Sequence, residues 1–162
     1  SSFFYHSIFS ISIIATGYLA GYPLQDLRVT VYDGKHHPVD SKEVAFVSAG
    51  RKAFLDALAK AAPQILEPIV RVEIVAPENY MGDIAGDLAS RRGQVSGTDS
   101  LPGGLMEITA VVPLAELDGY ATRLHALTQG SGSWSMELED YAPLPFQKQQ
   151  ELASKYQRKE ED

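Results

Sequence analysis

From Glu67 onward the hydrophobic period of this chain switches repeatedly between two and about 3.6 residues, and that alternation restricts the fold more than any other feature. "IVRVEIVA" sets Val70, Val72 and Ile74 against Arg71 and Glu73, the pattern of a strand. Pro77 then introduces "YMGDIAGDLASRRG", with Met81, Ile84, Ala85 and Leu88 on one helical face and Gly93 as the C-cap. "QVSG" begins a second strand, and the turn-rich "TDSLPGG" leads into a third, in which Met106, Ile108, Ala110 and Val112 alternate. Pro113 opens a helix carrying Leu114, Leu117, Ala121, Leu124 and Thr128, which Gly130 ends. Trp134, Met136 and Leu138 alternate with serines and glutamates as a last strand. The order βαββαβ is that of the ferredoxin-like split βαβ unit. It predicts an antiparallel four-stranded sheet over residues 67 to 143, with both helices on one face and Val72, Ile84, Leu88, Ile108, Leu124 and Met136 in one core.

The earlier part of the chain is less regular. "LRVTVY" places Leu27, Val29 and Val31 opposite Arg28, Thr30 and Tyr32, as a half-buried strand requires, and Asp33-Gly34 is a turn signal. Asp40 is then the expected N-cap of a helix, with Glu43 three residues later. Phe46, Gly50, Ala53, Phe54, Ala57, Leu58 and Ala61 follow helical spacing, and Pro63 fits the end of that helix. Before Asp26 there is no acidic, lysine or arginine side chain, and Phe9, Ile11 and Ile13 alternate with Ser10 and Ser12, which reads as a strand. The charge-free start argues against a secretory signal, and the interrupting serines argue against a membrane span. Without an initiator methionine, the expectation is of a fragment or a processed product.

Composition narrows the class. With 162 residues, 44% hydrophobic, the chain suits one larger or two small domains, and the absence of cysteine excludes disulfides and thiolate metal sites. A net charge of −7 argues against non-specific coating of nucleic acid, which depends on cations releasing counterions from phosphates. Any nucleic-acid contact has to be local.

Catalytic signals are missing. "TQGSGSW" lacks the Gly-Lys-Ser/Thr ending of a phosphate-binding loop and follows a helix where such a loop precedes one. Asp83 and Asp87 share a helical face, but Arg91, four residues on, pairs naturally with Asp87. No Gly-x-Ser-x-Gly elbow occurs. The adjacent His36 and His37 fall on the strand-to-helix connection "YDGKHHPVDSKEVAF", where a polar loop collects such residues whatever its function. Neighbouring residues of an extended segment diverge, and His6 and His125 lie in unrelated contexts, so no metal site is expected. What remains pointed is basic. Lys35, His36, His37 and Lys42 flank the first turn, Arg51 and Lys52 lie on the first helix, Arg91 and Arg92 close the second, and Arg123 and His125 occupy the third. Arg91 and Arg92 also complement that helix's C-terminal dipole. Local positive spots on an acidic body suit docking onto a shaped RNA surface.

The segments "LAGYPLQDLRVTVYDGKHHPVDSKEVAF", "LEPIVRVEI", "YMGDIAGDLASRRGQV", "VPLAELDGYATRL" and "LTQGSGSWSMELEDY" resemble, in order, the C-terminal end of bacterial translation elongation factor G. The resemblance implies an α+β chain of two small domains. Residues 18–66 would be the C-terminal part of the fourth domain, of ribosomal-protein-like βαβ type, and 67–143 the complete fifth, ferredoxin-like domain. Residues 1–17 do not match, and 144–162 form a charged C-terminal tail. In the family the fourth domain reaches into the decoding centre, and "HHPVDS" here puts His37 on the histidine and His36 on the tyrosine of a "YHxVDS" loop. The family's fifth domain lies near the sarcin-ricin loop and the stalk base, and Arg91, Arg92, Arg123 and His125 fall on its "RRRG" and "GYATxLRSxT" motifs. Ser90, His125, Asp118 and the loop "TDSLPGG" depart from the family pattern, which suggests a paralogue or divergent lineage with weaker large-subunit contacts.

What the resemblance implies is a cytoplasmic, monomeric translation factor region whose partners are the ribosome (ribosomal RNA and ribosomal proteins) and transfer RNA. No membrane contact is implied. The chain carries no cofactor of its own, since GTP and magnesium would be held by a GTPase domain that this sequence lacks. Ribosome recycling or protection stands as an alternative to translocation, and a free-standing ferredoxin-like binding module as an alternative to both.

Overall fold

The computed structural model describes residues 17–35 and 42–156. They belong to two compact units, one of residues 1–65 with 144–162 and the other Leu66–Pro143. The expected strand at Phe9–Ile13 and the pair His36 and His37 lie outside the described residues.

In the first unit, helix α1 (Glu43–Lys60) forms where the apolar spacing predicts it. Its N-cap position is Lys42, with no side-chain cap, so the helix starts later than an Asp40 cap would require. Phe54 is half-buried and Leu58 buried, but Val44, Phe46 and Val47 are exposed. The strand expected at "LRVTVY" does not form, because no backbone among the described residues supplies the ladder that turns an alternating segment into a strand. Val31 and Tyr32 are accordingly 62% and 94% exposed. The charged tail holds a helix that its sequence does not announce, Phe146–Lys155, called α4 here. Its Gln149 Oε1 accepts from the Ile65 N–H at 3.0 Å, and the Leu144 N–H donates to the Ile65 carbonyl at 2.8 Å.

The second unit has strand β1 (Leu66–Pro77), helix α2 (Met81–Ser90), strands β2 (Gln94–Leu101) and β3 (Leu105–Pro113), helix α3 (Tyr120–Leu127) and strand β4 (Ser133–Pro143). All pairings are antiparallel, in the order β2-β3-β1-β4, so the ferredoxin-like arrangement expected from the element order is the one found. Period-two alternation sends Val70, Val72, Ile74 and Ala76 of β1 and Ile108, Ala110 and Val112 of β3 to one face. There they meet Ile84 and Leu88 of α2 and Leu124 of α3 in one core, which puts both helices on the same side of the sheet.

Three expectations need correction. Met136 faces the helix side, opposite Val72, but is 50% exposed. It sits on the edge strand β4, beyond the helical cover, and only Trp134 of that strand reaches the core, its ring edge-on to Tyr120 at 5.2 Å. The helix expected from Pro113 is broken into a 3-10 turn (Leu114–Leu117) and α3, because Asp118 is extended and Gly119 adopts φ +67°. The second strand runs through Thr98, Asp99 and Ser100, leaving only Pro102, Gly103 and Gly104 to turn the hairpin.

Candidate nucleic-acid interface

The basic residues singled out in the sequence fall in both units. Lys35 and Lys42 are exposed in the first. Arg91, Arg92, Arg123 and His125 belong to the second, where α2 ends and α3 runs past it.

The end of α2 is built by an unusual residue choice. The Arg92 N–H donates to the Ala89 carbonyl at 3.2 Å and the Gly93 N–H to that of Leu88 at 2.8 Å, a Schellman closure. The left-handed position of that motif is Arg92, at φ +60°, not the Gly93 that the sequence suggests. Gly93 is needed for a different reason, since a Cβ there would lie 2.7 Å from the Leu88 carbonyl oxygen and 3.0 Å from Val112 Cγ2. A non-glycine residue in the left-handed region costs about 1 kcal/mol. Arg92 offsets that with ion pairs. Its Nη1 and Nη2 donate to the two carboxylate oxygens of Glu67 at 2.7 and 2.9 Å, and its Nε to Glu116 Oε1 at 2.9 Å. Glu67 is buried at the start of β1, and this two-pronged bond raises the Arg92 pKa above its ordinary value.

Its neighbour Arg91 is anchored differently. The Nε donates to Asp87 Oδ2 at 2.9 Å, the i to i+4 pair expected from the sequence. Nη1 donates to the carbonyls of Glu116 at 2.6 Å and Asp118 at 3.4 Å, and the guanidinium carbon lies 5.2 Å above the Tyr120 ring. Arg91 therefore ties α2 to the broken segment before α3. The Tyr120 hydroxyl beneath it is buried without a hydrogen-bond partner among the described residues. Burial, reinforced by the Asp87 charge, pushes the Tyr120 pKa up to about 12.

Asp87 joins the two helices. Its second oxygen, Oδ1, accepts from Arg123 Nε at 2.8 Å. Burial pushes the Asp87 pKa up, but the hydrogen bonds and charges of Arg123 and Arg91 outweigh it and leave the carboxyl below its usual value. The three arginines then differ in what they have left to offer. The side chains of Arg91 and Arg92 are 21% and 31% exposed, against 53% for Arg123. Among the described residues Arg123 spends only Nε inside the protein. His125 is exposed, with Gly130 close against its ring.

Sequence reading finds Asp87 with Arg91 but misses Arg123 as the second ligand of Asp87, and Glu67 and Glu116 as the partners of Arg92. Those pairs are 24 to 36 residues apart in the chain, and nothing local marks them. The glycine-rich "TQGSGSW" ends a helix, as expected. The Thr128 hydroxyl donates to the Leu124 carbonyl at 2.8 Å and accepts from the Gly132 N–H at 2.9 Å.

Comparison with known proteins locates both units. The family model for Elongation factor G, domain IV matches residues 11–62, and that for Elongation factor G C-terminus matches 64–152, more than half of the chain. Among solved structures, a crystal structure of a protein from Thermus thermophilus is similar at 36% identity and TM-score 0.76, over 93% of this chain. This chain spans 23% of that one.

Proposed function

The chain belongs to the elongation factor G family, and from that membership we propose that it is the ribosome-binding region of a translational GTPase that promotes movement of transfer RNA and messenger RNA. In this reading the first unit docks at the decoding centre and the second at the stalk base of the large subunit. The observation that carries it is the succession of the two family matches, in order and nearly without a gap, over residues 11–62 and 64–152.

The chemistry asked of the chain is mechanical. It occupies a site and biases which ribosomal conformation is populated, by binding one arrangement better than another. His36 and His37, with Lys35 and Lys42 near them in the sequence, form the contact of the first unit. Near neutral pH an imidazole is a donor, an acceptor or a cation and stacks on a base, which suits contacts made and released during movement. Of the four cations at this end of the second unit, Arg123 and His125 carry its contact surface, and Arg91 and Arg92 shape that surface from within. GTP and magnesium are handled by a domain of the whole protein outside this chain, and the protein acts as a cytoplasmic monomer. Among the described residues no helix is long and apolar enough to cross a membrane.

The test is His37→Ala in the whole protein. Translocation on the ribosome is expected to slow, while ribosome-stimulated GTP hydrolysis stays near wild type and the melting temperature is unchanged, as this reading gives His37 a contact role and substitutions away from packed positions usually lie within about 0.5 kcal/mol. His36→Ala is expected to matter less. A melt displaced by many degrees marks His37 as a structural residue, and unaltered translocation with altered subunit splitting marks a recycling factor.

A further inference from the structure

We propose that Asp87 is a positioning residue that holds Arg123 as a two-donor fork for one phosphodiester of structured RNA, while Arg91 and Arg92 serve the protein's own architecture. This rests on the ribosome-docking reading above and goes beyond it by separating the arginines by role.

The separation follows from donor counting. A guanidinium has five N–H donors, one on Nε and two on each terminal nitrogen. Arg92 directs all three of its nitrogens to Glu67 and Glu116. Arg91 directs Nε to Asp87 and Nη1 to two carbonyls, which leaves it Nη2 alone and no two-nitrogen edge, and its flat face lies over Tyr120. Among the described residues Arg123 is bonded through Nε alone, to Asp87 Oδ1. The Nε bond fixes the plane of the guanidinium and leaves the Nη1 and Nη2 edge, which matches two oxygens of a phosphate, on a side chain that is 53% exposed.

Charge points the same way. Asp87 is shared by two arginines, so its single charge is divided between them, whereas Arg92 is bonded by two carboxylates. An approaching phosphate is attracted to the incompletely neutralised Arg123. Asp87 is itself 9% exposed and held by Arg91 as well, so the anchor for Arg123 does not depend on Arg123 alone.

The experiment measures binding of the chain to purified ribosomes across a potassium chloride series. Arg123→Ala is expected to weaken binding about tenfold and to lower the slope of log affinity against log salt by about one. Arg123→Lys keeps the charge and loses the fork, so it is expected to retain the slope with affinity reduced a few-fold. Arg92→Ala, compared at a temperature where it is folded, is expected to leave the slope unchanged. Asp87→Ala is expected to weaken binding although it removes a negative charge; tighter binding would mean that Asp87 merely opposes the phosphate, and its positioning role falls. Wild-type binding that Arg123→Ala alters in neither affinity nor slope overturns this inference alone. A wild-type chain that fails to bind ribosomes at any salt overturns the docking reading and this inference with it.

Discussion

Arg92 sits between two carboxylates, Glu67 and Glu116, whereas Asp87 sits between two arginines, Arg91 and Arg123. Both clusters are made of the same residue types in the same unit, and each holds a nearly buried acid, yet the arginines share it differently. In the first the buried partner is an acid, and the arginine exists to neutralise it. In the second one buried acid serves two bases, and one of those is left half in solvent. A basic motif such as "RRG" therefore contains residues of opposite purpose. What decides between them is how many donors remain after the fold has been satisfied.

The comparison breaks most sharply at Arg92. Arg92→Ala leaves the buried Glu67 without its two-pronged partner, so a loss of about 3 kcal/mol is expected in urea unfolding. Arg92→Gly is expected to be about 1 kcal/mol less damaging, because glycine accepts the left-handed backbone that Arg92 adopts at φ +60°. Equal losses for the two variants would show that the backbone at this position is unstrained.

Asp87→Ala is expected to cost less, about 2 kcal/mol, since each arginine it frees has water or other partners to turn to. The pH dependence has a definite sign. The Asp87 pKa is lower in the folded state than its ordinary 3.8, so its contribution is complete above that value and is lost as pH falls through the lower, folded value. Asp87→Asn is expected to flatten the acid limb of the stability curve below about pH 4 and leave its neutral limb parallel to wild type. An acid limb as steep as wild type would place the titration elsewhere.

How much of this is legible in the sequence depends on the range of the interaction. The βαββαβ order follows from periodicity, because Val70, Val72 and Ile74 or Ile84 and Leu88 report their own element's buried face. Met136 alternates just as cleanly and reads as a core position, but alternation states which face a side chain takes and not whether a helix covers it. "LRVTVY" fails for a related reason, since a strand is defined by a neighbour that the segment itself does not contain. At the candidate site, Asp87 with Arg91 is visible as a spacing of four, while Glu67 with Arg92 is a product of the tertiary fold. The histidines of the first unit stand out in the sequence and lie outside the described residues.

Smaller effects sharpen the contrast. Arg123→Ala is expected to change stability by less than about 1 kcal/mol, because the arginine is half-exposed, solvent screens its charge and Asp87 keeps Arg91. Tyr120→Phe removes a buried hydroxyl that has no partner among the described residues, so stability is expected to hold or to rise by up to about 1 kcal/mol. A clear loss would reveal a bond to that hydroxyl.

The central claim is that one arginine cluster belongs to the fold and the other leaves an arginine to spare. A pair of double-mutant cycles on unfolding free energy measures it directly, one on Glu67 with Arg92 and one on Asp87 with Arg123. The account predicts a coupling of about 2–3 kcal/mol for Glu67 with Arg92 and less than about 1 kcal/mol for Asp87 with Arg123. Equal couplings, or the larger one at Arg123, would contradict it.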